Sequence, residues 1–462
     1  MPDLQLESAI DRAIYEKYIL PTRRPRKAVA GLEFELPIVN LEQAAVDFDF
    51  IHAVTEEFVR ESGFTRQVRD ANGHLYNALE PETGDDLSFD CSYNTLEFSF
   101  GKETDLNVLH DRFRKYYRSF EEKLLAGHHT LTGMGLNPYF AYNRAEPIAN
   151  GRYRMLLHHL QSYPKYGSAI PFHDMPTFGL ACCASQVQLD VEEDSLLKVL
   201  NTFNKLEPLK ALLFANSPYQ EFLCSRDYFW KYSMHGLNPH NLDLCVTELH
   251  SEEEVITYIR SMSLYCLERD GKYVNFRPTQ LEPYFSLPAV TGEYFEESDG
   301  TYHEYTWEPR LSDLDYLRSF KFVDLTYRGT IEFRSACEQP VREIMTPAAL
   351  QTGLMENVTK LSRILAENTF IYQQGYNTQE LRELFVKREL PDFLDREATS
   401  ELLLRILDLA ADGLEKRGRG ERKLLEPLYH RAEHLLSPAR QMVEGLESGV
   451  PLEFYIHDYA AL

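Results

Sequence analysis

Apolar and polar residues alternate along Gly31–Pro37, which reads Gly-Leu-Glu-Phe-Glu-Leu-Pro. Successive side chains of a β-strand point to opposite faces of the sheet. The pattern therefore predicts a strand with Glu33 and Glu35 on one face and its apolar residues on the other. Two neighbouring carboxylates repel each other on a partly covered face, and a divalent cation between them removes that cost. For this stretch alone, the alternative is an edge strand with two solvated glutamates.

Three later stretches repeat the alternation, and each combines one apolar face with one face of ligand-type side chains. The polar residues are Glu97 and Ser99 in Tyr93–Phe100, Gln186, Gln188 and Asp190 in Ser185–Val191, and Glu332 and Arg334 in Thr330–Ser335. Four such strands in one sheet predict a carboxylate-lined concave site with a cationic group at its rim.

The remaining pattern intersperses strands and helices without regular β-α-β alternation, and beyond Thr346-Pro347 it is almost entirely helical. This order predicts an α+β fold with one antiparallel sheet backed by helices, followed by a helical C-terminal region.

Several local features are also predicted. Helix breaks are expected near Pro208 and at Asp412-Gly413, and a capping-box pattern at Ser251 predicts a helix to about Leu267. The acidic, aromatic stretch Gly292–Glu308 lacks apolar periodicity, which predicts an excursion or lid over a site.

Composition and charge argue against several classes of function. The chain has 462 residues and a formal net charge of −24, which argues against nucleic acid or an anionic membrane surface as its main partner. No apolar run approaches the roughly 20 residues that span a bilayer, and the N-terminus has no secretory pattern. The seven scattered cysteines include no Cys-x-x-Cys pair and indicate reduced thiols, with Cys182-Cys183 as small buried side chains. We therefore expect a cytosolic monomer or homodimer that acts on small molecules.

The acidic residues are the candidate metal ligands. Asp90 precedes Glu97 by seven residues, an odd spacing for one strand face, so a turn around Cys91–Asn94 is needed to bring both carboxylates to one site. Hard cations prefer oxygen ligands, and the set Glu33, Glu35, Asp90, Glu97, Gln186 and Glu332 is suited to Mg²⁺. Because one Mg²⁺ needs fewer acids, the set predicts two or three ions around a nucleotide's phosphates. The sequence contains no phosphate-binding glycine motif, so metal ions and arginines must hold the phosphates.

Arginines complement these acids. Arg334 shares a face with Glu332, and its fixed fork of donors is suited to a phosphoryl group in transfer. Arg152, Arg154 and Arg226 are candidates to hold a substrate carboxylate. For each arginine alone, a surface position or an ion pair at the edge of the core is the alternative, and the paired histidines are interpreted as structural.

Taken in order, these motifs resemble the glutamate–cysteine ligase family, most closely its plant and proteobacterial branch. The resemblance covers about residues 28–350. It rests on Gly31-Leu-Glu-Phe-Glu, Ser88–Ser99, Gly151-Arg-Tyr-Arg-Met in part, Ser185-Gln-Val-Gln-Leu-Asp, Phe214-Ala-Asn-Ser-Pro, Arg226 with Trp230, and Ile331-Glu-Phe-Arg. The departures are Gln188, where that branch usually has Asn, and Cys337-Glu338-Gln339-Pro340.

The resemblance implies a curved antiparallel sheet whose open polar face forms the active site. It implies a catalytic domain over residues 1–350, with a helical region over 351–462 packed on it. The implied reaction is ATP-dependent formation of γ-glutamylcysteine from L-glutamate and L-cysteine through a γ-glutamyl phosphate, with Mg²⁺ as cofactor. By analogy, Arg334 and Glu33 are catalytic, Arg152 and Arg226 bind glutamate, and the six oxygen ligands named above hold Mg²⁺.

Two alternatives remain open at this stage. The same ligase chemistry could serve another amine or another amino acid, because the sequence shows no motif for a thiol pocket. A catalytically silent protein that senses an amino acid or nucleotide is the third hypothesis, although a binding module has no need of five convergent carboxylates.

Overall fold

The computed structural model describes residues 8–166, 171–242 and 247–462. These residues form thirteen strands. They are β1 (Ala30–Asn40), β2 (Arg66–Arg69), β3 (Leu75–Leu79), β4 (Asp86–Phe89), β5 (Thr95–Glu103), β6 (His129–Leu131), β7 (Ser185–Asp190), β8 (Ser263–Arg269), β9 (Lys272–Gln280), β10 (Val290–Glu296), β11 (Thr301–Trp307), β12 (Val323–Leu325) and β13 (Thr330–Phe333).

The same residues form sixteen α-helices, which are concentrated in the C-terminal third. They are α1 (Ala9–Ile14), α2 (Phe48–Ser62), α3 (Leu106–Leu125), α4 (Gly151–Gln161), α5 (Glu193–Phe214), α6 (Ser225–Lys231), α7 (Glu252–Arg260), α8 (Leu281–Ser286), α9 (Thr346–Met355), α10 (Val358–Glu367), α11 (Thr369–Tyr372), α12 (Thr378–Phe385), α13 (Arg396–Arg417), α14 (Glu426–His434), α15 (Pro438–Glu447) and α16 (Leu452–Ala460).

Two open sheets organise the molecule. Nine strands form the main sheet in the order β12-β13-β7-β1-β5-β4-β3-β2, with β6 paired to the far end of β1. The second sheet has the order β11-β10-β9-β8. All pairings between these strands are antiparallel. The predicted α+β fold, with an antiparallel sheet and a helical C-terminal region, is confirmed.

The apolar face of the main sheet packs against α3. Phe34 of β1 and Phe98 and Phe100 of β5 are almost fully buried. The Phe34 ring meets the Phe113 ring of α3 edge-on, with centroids 5.3 Å apart, a geometry that aromatic pairs favour. Because alternation sends these rings to the helix side, the acidic residues between them must face the other way.

The C-terminal helices share the core of the main sheet. All ten residues of α9 are buried, and α9 packs against both β7 and α13. A Cβ on Gly413 of α13 would lie 1.9 Å from the carbonyl oxygen of Gly353 of α9. The predicted break at Asp412-Gly413 is therefore wrong, because Gly413 lets two continuous helices approach closely. The division at residue 350 stays a prediction.

Two helix predictions are corrected by tertiary packing. Helix α5 runs through Pro208 without a break, and its residues from Leu206 to Phe214 are all buried. Burial on all sides offsets the hydrogen bond that proline removes from the helix. The helix that Ser251 caps ends at Arg260, and the chain continues as β8.

The stretch Gly292–Glu308 is a regular hairpin rather than an irregular excursion. Its strands β10 and β11 pair over seven residues each and extend the second sheet. The Tyr302 ring stacks on His158 of α4 with centroids 3.7 Å apart, and Glu293 lies 2.8 Å from Lys165. Cross-strand pairing of polar and aromatic side chains forms this hairpin without apolar periodicity. The contacts with His158 and Lys165 hold it against α4 and the residues that follow α4.

Candidate active site

Four adjacent strands place a row of carboxylate and amide side chains on the polar face of the main sheet. Cross-strand pairing sets Glu35 opposite Glu97 and Glu33 opposite both Ser99 and Gln186. Glu332 lies opposite Gln188. Directly paired residues have Cβ atoms about 5 Å apart, so the row is continuous from β13 to β5.

One end of the row is held by backbone and amide donors. The Ala184 N–H donates to Glu35 Oε2 at 2.7 Å, and Gln186 Nε2 donates to Glu35 Oε1 at 2.6 Å. The Gln186 Oε1 atom is buried and has no partner among the described residues. That oxygen is available as a ligand for a cation, because buried polar atoms are normally satisfied.

The other end is bridged by an amide. Gln188 Nε2 donates to Glu332 Oε1 at 3.0 Å and lies 3.4 Å from Glu33 Oε1. Arg334 Nη2 donates to Glu332 Oε2 at 2.8 Å. Glu332 is therefore the one carboxylate of the row with a direct guanidinium partner in the described structure.

Asp90 joins the row through a turn. It follows β4, and Cys91 adopts a left-handed conformation with φ of 63°, which non-glycine residues rarely do. The Ser92 N–H donates to the Asp90 carbonyl at 2.7 Å, and the chain re-enters the sheet as β5. The predicted turn between Asp90 and Glu97 is thus present, and the Asp90 charge acts on both Glu35 and Glu97.

Burial and mutual repulsion disfavour ionisation of this row. Burial, followed by the charges of Glu97 and Glu332, raises the pKa of Glu33 to about 8. Burial and the Asp90 charge likewise raise the pKa of Glu35 and of Glu97 to about 8. A divalent cation would restore the ionised form, because it supplies the charge that the surrounding protein does not.

The donor set fits Mg²⁺ held jointly with a substrate. Within residues 8–166, 171–242 and 247–462, no three acidic, histidine or cysteine side chains form a preassembled metal cluster. Mg²⁺ usually takes one or two carboxylates and completes its shell with water and substrate phosphates. Carboxylates spread along a row, with an unpaired amide oxygen at Gln186, suit that mode of binding.

The metal-free protein is expected to lose stability as pH rises from about 4.5 to about 8. In this window the folded state holds protons on Glu33, Glu35 and Glu97 that the unfolded chain releases, so unfolding becomes easier with increasing pH. Mg²⁺ should raise the melting temperature more at pH 8 than at pH 5, since it binds the deprotonated carboxylates.

Thermal unfolding at both pH values, with and without Mg²⁺, checks this prediction. The double variant Glu33→Gln, Glu35→Gln is the control for the many other acidic groups, and its pH slope should be smaller than that of the wild type. An equal slope in both proteins would contradict the assignment of the titration to this row.

Two cavities adjoin the row, one at Glu33 and the other at Glu35, two residues further along β1. The first has a volume of about 700 Å³ and is lined by Glu33 and Gln188 together with four exposed basic residues, Arg24, Lys27, Lys102 and Arg328. None of these four side chains forms an ion pair with a described residue. The cavity therefore presents four basic side chains without an ion-pair partner in the described part of the chain, beside the carboxylates of Glu33 and Asp190.

The second cavity lies between the polar face of the main sheet and the second sheet. Its volume is about 380 Å³, and Glu35 and Asp90 line it on one side. Its arginines are Arg152, Arg226, Arg318 and Arg334, and its aromatic wall comprises Trp230, Tyr265, Tyr273, Tyr316 and Phe320. The cavity thus combines anion-binding groups with a flat apolar wall.

Comparison with known proteins identifies the family. The model of glutamate–cysteine ligase family 2 matches residues 29–450. This chain belongs to that family.

The curated relatives are plant proteins. Chloroplastic glutamate–cysteine ligases from Solanum lycopersicum and Brassica juncea are 23% and 25% identical over 327 and 325 residues, which is 68% of this chain. The chain spans only 56% and 57% of the lengths of these two relatives. A crystal structure of a glutamate–cysteine ligase from Francisella tularensis in complex with AMP aligns with a TM-score of 0.47 and 11% identity, covering 95% of this chain and 88% of that one.

The three arginines predicted to bind substrate differ in burial and in their contacts. Arg226 is buried, and its Nη1 donates to the carbonyl oxygen of Ala336 at 3.3 Å. Arg152 is exposed in the first turn of α4, with its guanidinium 5.6 Å from the Tyr153 ring centroid. Arg334 follows β13 beside Glu332. All three line the second cavity, and their roles there stay predictions.

Sequence reasoning missed one acidic residue of the acidic row. Asp86 of β4 pairs with Ser99 and accepts a hydrogen bond from Asn77 Nδ2 at 2.6 Å, so it extends the acidic row by one strand. Burial raises its pKa to about 6. The alternation of polar and apolar residues in Asp86-Leu-Ser-Phe is the sequence feature that could have identified this strand and its acidic residue. The only sequence feature that indicated the basic cavity was the basic loop Thr22–Lys27, which lies shortly before β1.

Within the described residues, no helix is long and apolar enough to cross a membrane. Six cysteines of this part of the chain are free and buried, and Cys245 lies outside the described residues.

Proposed function

We propose that this chain is an ATP- and Mg²⁺-dependent ligase that forms γ-glutamylcysteine from L-glutamate and L-cysteine through a γ-glutamyl phosphate. One observation carries the proposal: in a chain of this family, a row of carboxylates separates a cationic cavity from an arginine-lined one. Such a site holds a polyphosphate on one side and an amino acid on the other, with the transferring phosphoryl group between them.

The first cavity is the proposed nucleotide site. Arg24, Lys27, Lys102 and Arg328 offer unpaired positive charge to a triphosphate beside Glu33. The candidate Mg²⁺ ligands are Glu33, Glu35, Asp90, Glu97, Gln186 and Glu332, which suffice for two or three ions shared with the phosphates. Bound Mg²⁺ supplies the positive charge that allows a triphosphate to lie against carboxylates.

The second cavity is the proposed amino-acid site. Arg152 and Arg226 would hold the carboxylates of glutamate, and Arg334 would contact the phosphoryl group as it moves. The γ-carboxylate oxygen attacks the terminal phosphorus of ATP, and ADP leaves. The amine then attacks the acyl carbon, loses a proton and expels phosphate. Positioning and charge stabilisation drive both steps, so no protein nucleophile is needed.

The cytosol is the proposed compartment, because the described cysteines are free thiols and thiols persist in reducing compartments.

Phosphate release from ATP and Mg²⁺ tests this function, with L-glutamate, a panel of amines that includes L-cysteine, and mass detection of products. The expected result is glutamate-dependent release that is fastest with cysteine, with γ-glutamylcysteine as the product. Faster turnover with another amine would keep the mechanism and change the acceptor. Folded protein that binds ATP but releases no phosphate with any pair would contradict the proposal.

A further inference from the structure

Arg382 of α12 binds two segments of the candidate active site at once. Its side chain is fully buried, with 1% of the residue exposed. Its Nε donates to Asp227 Oδ2 at 2.7 Å and its Nη2 to Asp227 Oδ1 at 3.1 Å. The same Nη2 lies 3.3 Å from the carbonyl oxygen of Ser335. One guanidinium thus binds α6 and the segment that follows β13.

Each of these segments carries an arginine of the second cavity. Asp227 directly follows Arg226, and Ser335 directly follows Arg334. Arg226 Nη1 in turn lies 3.5 Å from the Arg334 carbonyl and 3.3 Å from that of Ala336. Three consecutive carbonyls therefore accept from two guanidiniums, which fixes the spacing of the two cavity arginines.

Arg382 also has a second arm, which binds helix α5. Its Nη1 donates to Glu207 Oε2 of α5 at 2.9 Å, and Glu207 accepts from Lys210 at 2.6 Å. Both α5 residues are buried, with exposures of 0% and 1%. Two cations and two carboxylates balance the charge of this network. Balanced pairing is what makes a buried cation tolerable, and loss of one partner is costly.

We propose that Arg382 is a positioning residue, which sets the distance between Arg226 and Arg334 and so makes the C-terminal helical region part of the active site. The inference rests on the proposed function, because it takes these two arginines as the groups that bind glutamate and the phosphoryl group. Arg382 itself lines neither cavity.

The test compares the two arms of the same guanidinium. Arg382→Lys keeps the charge but cannot bind Asp227 and the Ser335 carbonyl together, because an ammonium group lacks the planar fork. We expect kcat/KM for glutamate to fall by about tenfold or more, since small misplacements of binding groups are expensive in catalysis. KM for ATP should stay within about twofold, because the nucleotide cavity is not touched. Asp227→Asn should reproduce this pattern and serves as a second variant if Arg382→Lys does not fold.

Glu207→Gln is the matched control. It removes a carboxylate of the same network from the arm that binds α5, and leaves the bonds to Asp227 and the Ser335 carbonyl in place. All three variants should lower the melting temperature, whereas only Arg382→Lys and Asp227→Asn should change the kinetics with glutamate. A similar loss in Glu207→Gln would overturn the inference, since it would show that any damage to the network has the same effect.

Hydrogen–deuterium exchange separates this inference from the proposed function, because it needs no substrate. Arg382→Lys should increase exchange in residues 224–231 and in residues 333–340 together, and Glu207→Gln should leave both near the wild-type rate. Unchanged exchange in both segments of a folded Arg382→Lys protein would overturn the inference even if the wild type is active. Wild-type protein without glutamate-dependent turnover would contradict the proposed function, while coupled exchange would still support the positioning role.

Discussion

Glu33→Gln is expected to lower kcat by at least about a hundredfold while the fold is retained. Glu33 is the residue at which the cationic cavity meets the acidic row, and its carboxylate lies 3.4 Å from the amide of Gln188. The amide of glutamine is a poorer ligand for Mg²⁺ than a carboxylate. The substitution also removes one of several mutually repelling acids, so the melting temperature without Mg²⁺ should stay equal or rise.

The measurement is initial-rate phosphate release at saturating ATP and glutamate over a range of Mg²⁺ concentrations. Glu103→Gln is the control, because Glu103 lies in the same sheet on β5 but lines neither cavity. Its activity should remain near that of the wild type. Near-normal kcat in Glu33→Gln and in Glu332→Gln at saturating Mg²⁺ would contradict the assignment of the row to metal binding.

Arg334→Lys is expected to lower kcat by about 100- to 1000-fold, the usual loss when one charge-stabilising donor is removed. Arg334 donates to Glu332 at 2.8 Å and also lines the second cavity, so its guanidinium can hold a carboxylate and a phosphoryl oxygen at once. A lysine presents its three N–H donors from a single nitrogen, so it cannot reproduce the spaced, planar donors of the guanidinium. KM for ATP should change less than kcat, because Arg334 is proposed to act in phosphoryl transfer rather than in nucleotide binding.

Steady-state kinetics with each substrate varied in turn check this result. Arg342→Lys is the matched control, because Arg342 is an exposed arginine that pairs with Asp458 and lines neither cavity, and it should keep full activity. Full kcat in Arg334→Lys would show that the planar fork is not used in phosphoryl transfer.

Local patterns predicted the elements that carry the site. Alternation of apolar and polar residues identified β1, β5, β7 and β13 and told which side chains share a face. The odd spacing of Asp90 and Glu97 correctly required a turn. These features depend on neighbours in sequence, which is why the sequence alone determines them.

Long-range packing decided the rest. The order β13-β7-β1-β5 brings Glu332 beside residues about 300 positions earlier in the chain, and no local pattern contains that order. Gly413 does not break a helix but allows α9 and α13 to approach closely. Burial stabilises α5 as a continuous helix across Pro208. The basic cavity and the Arg382 network arise in the same way, since both join segments that are distant in sequence. Sequence thus determined the chemistry of each strand face, and only the tertiary structure decided which faces meet, because contact energies between distant segments leave no periodic trace in the chain.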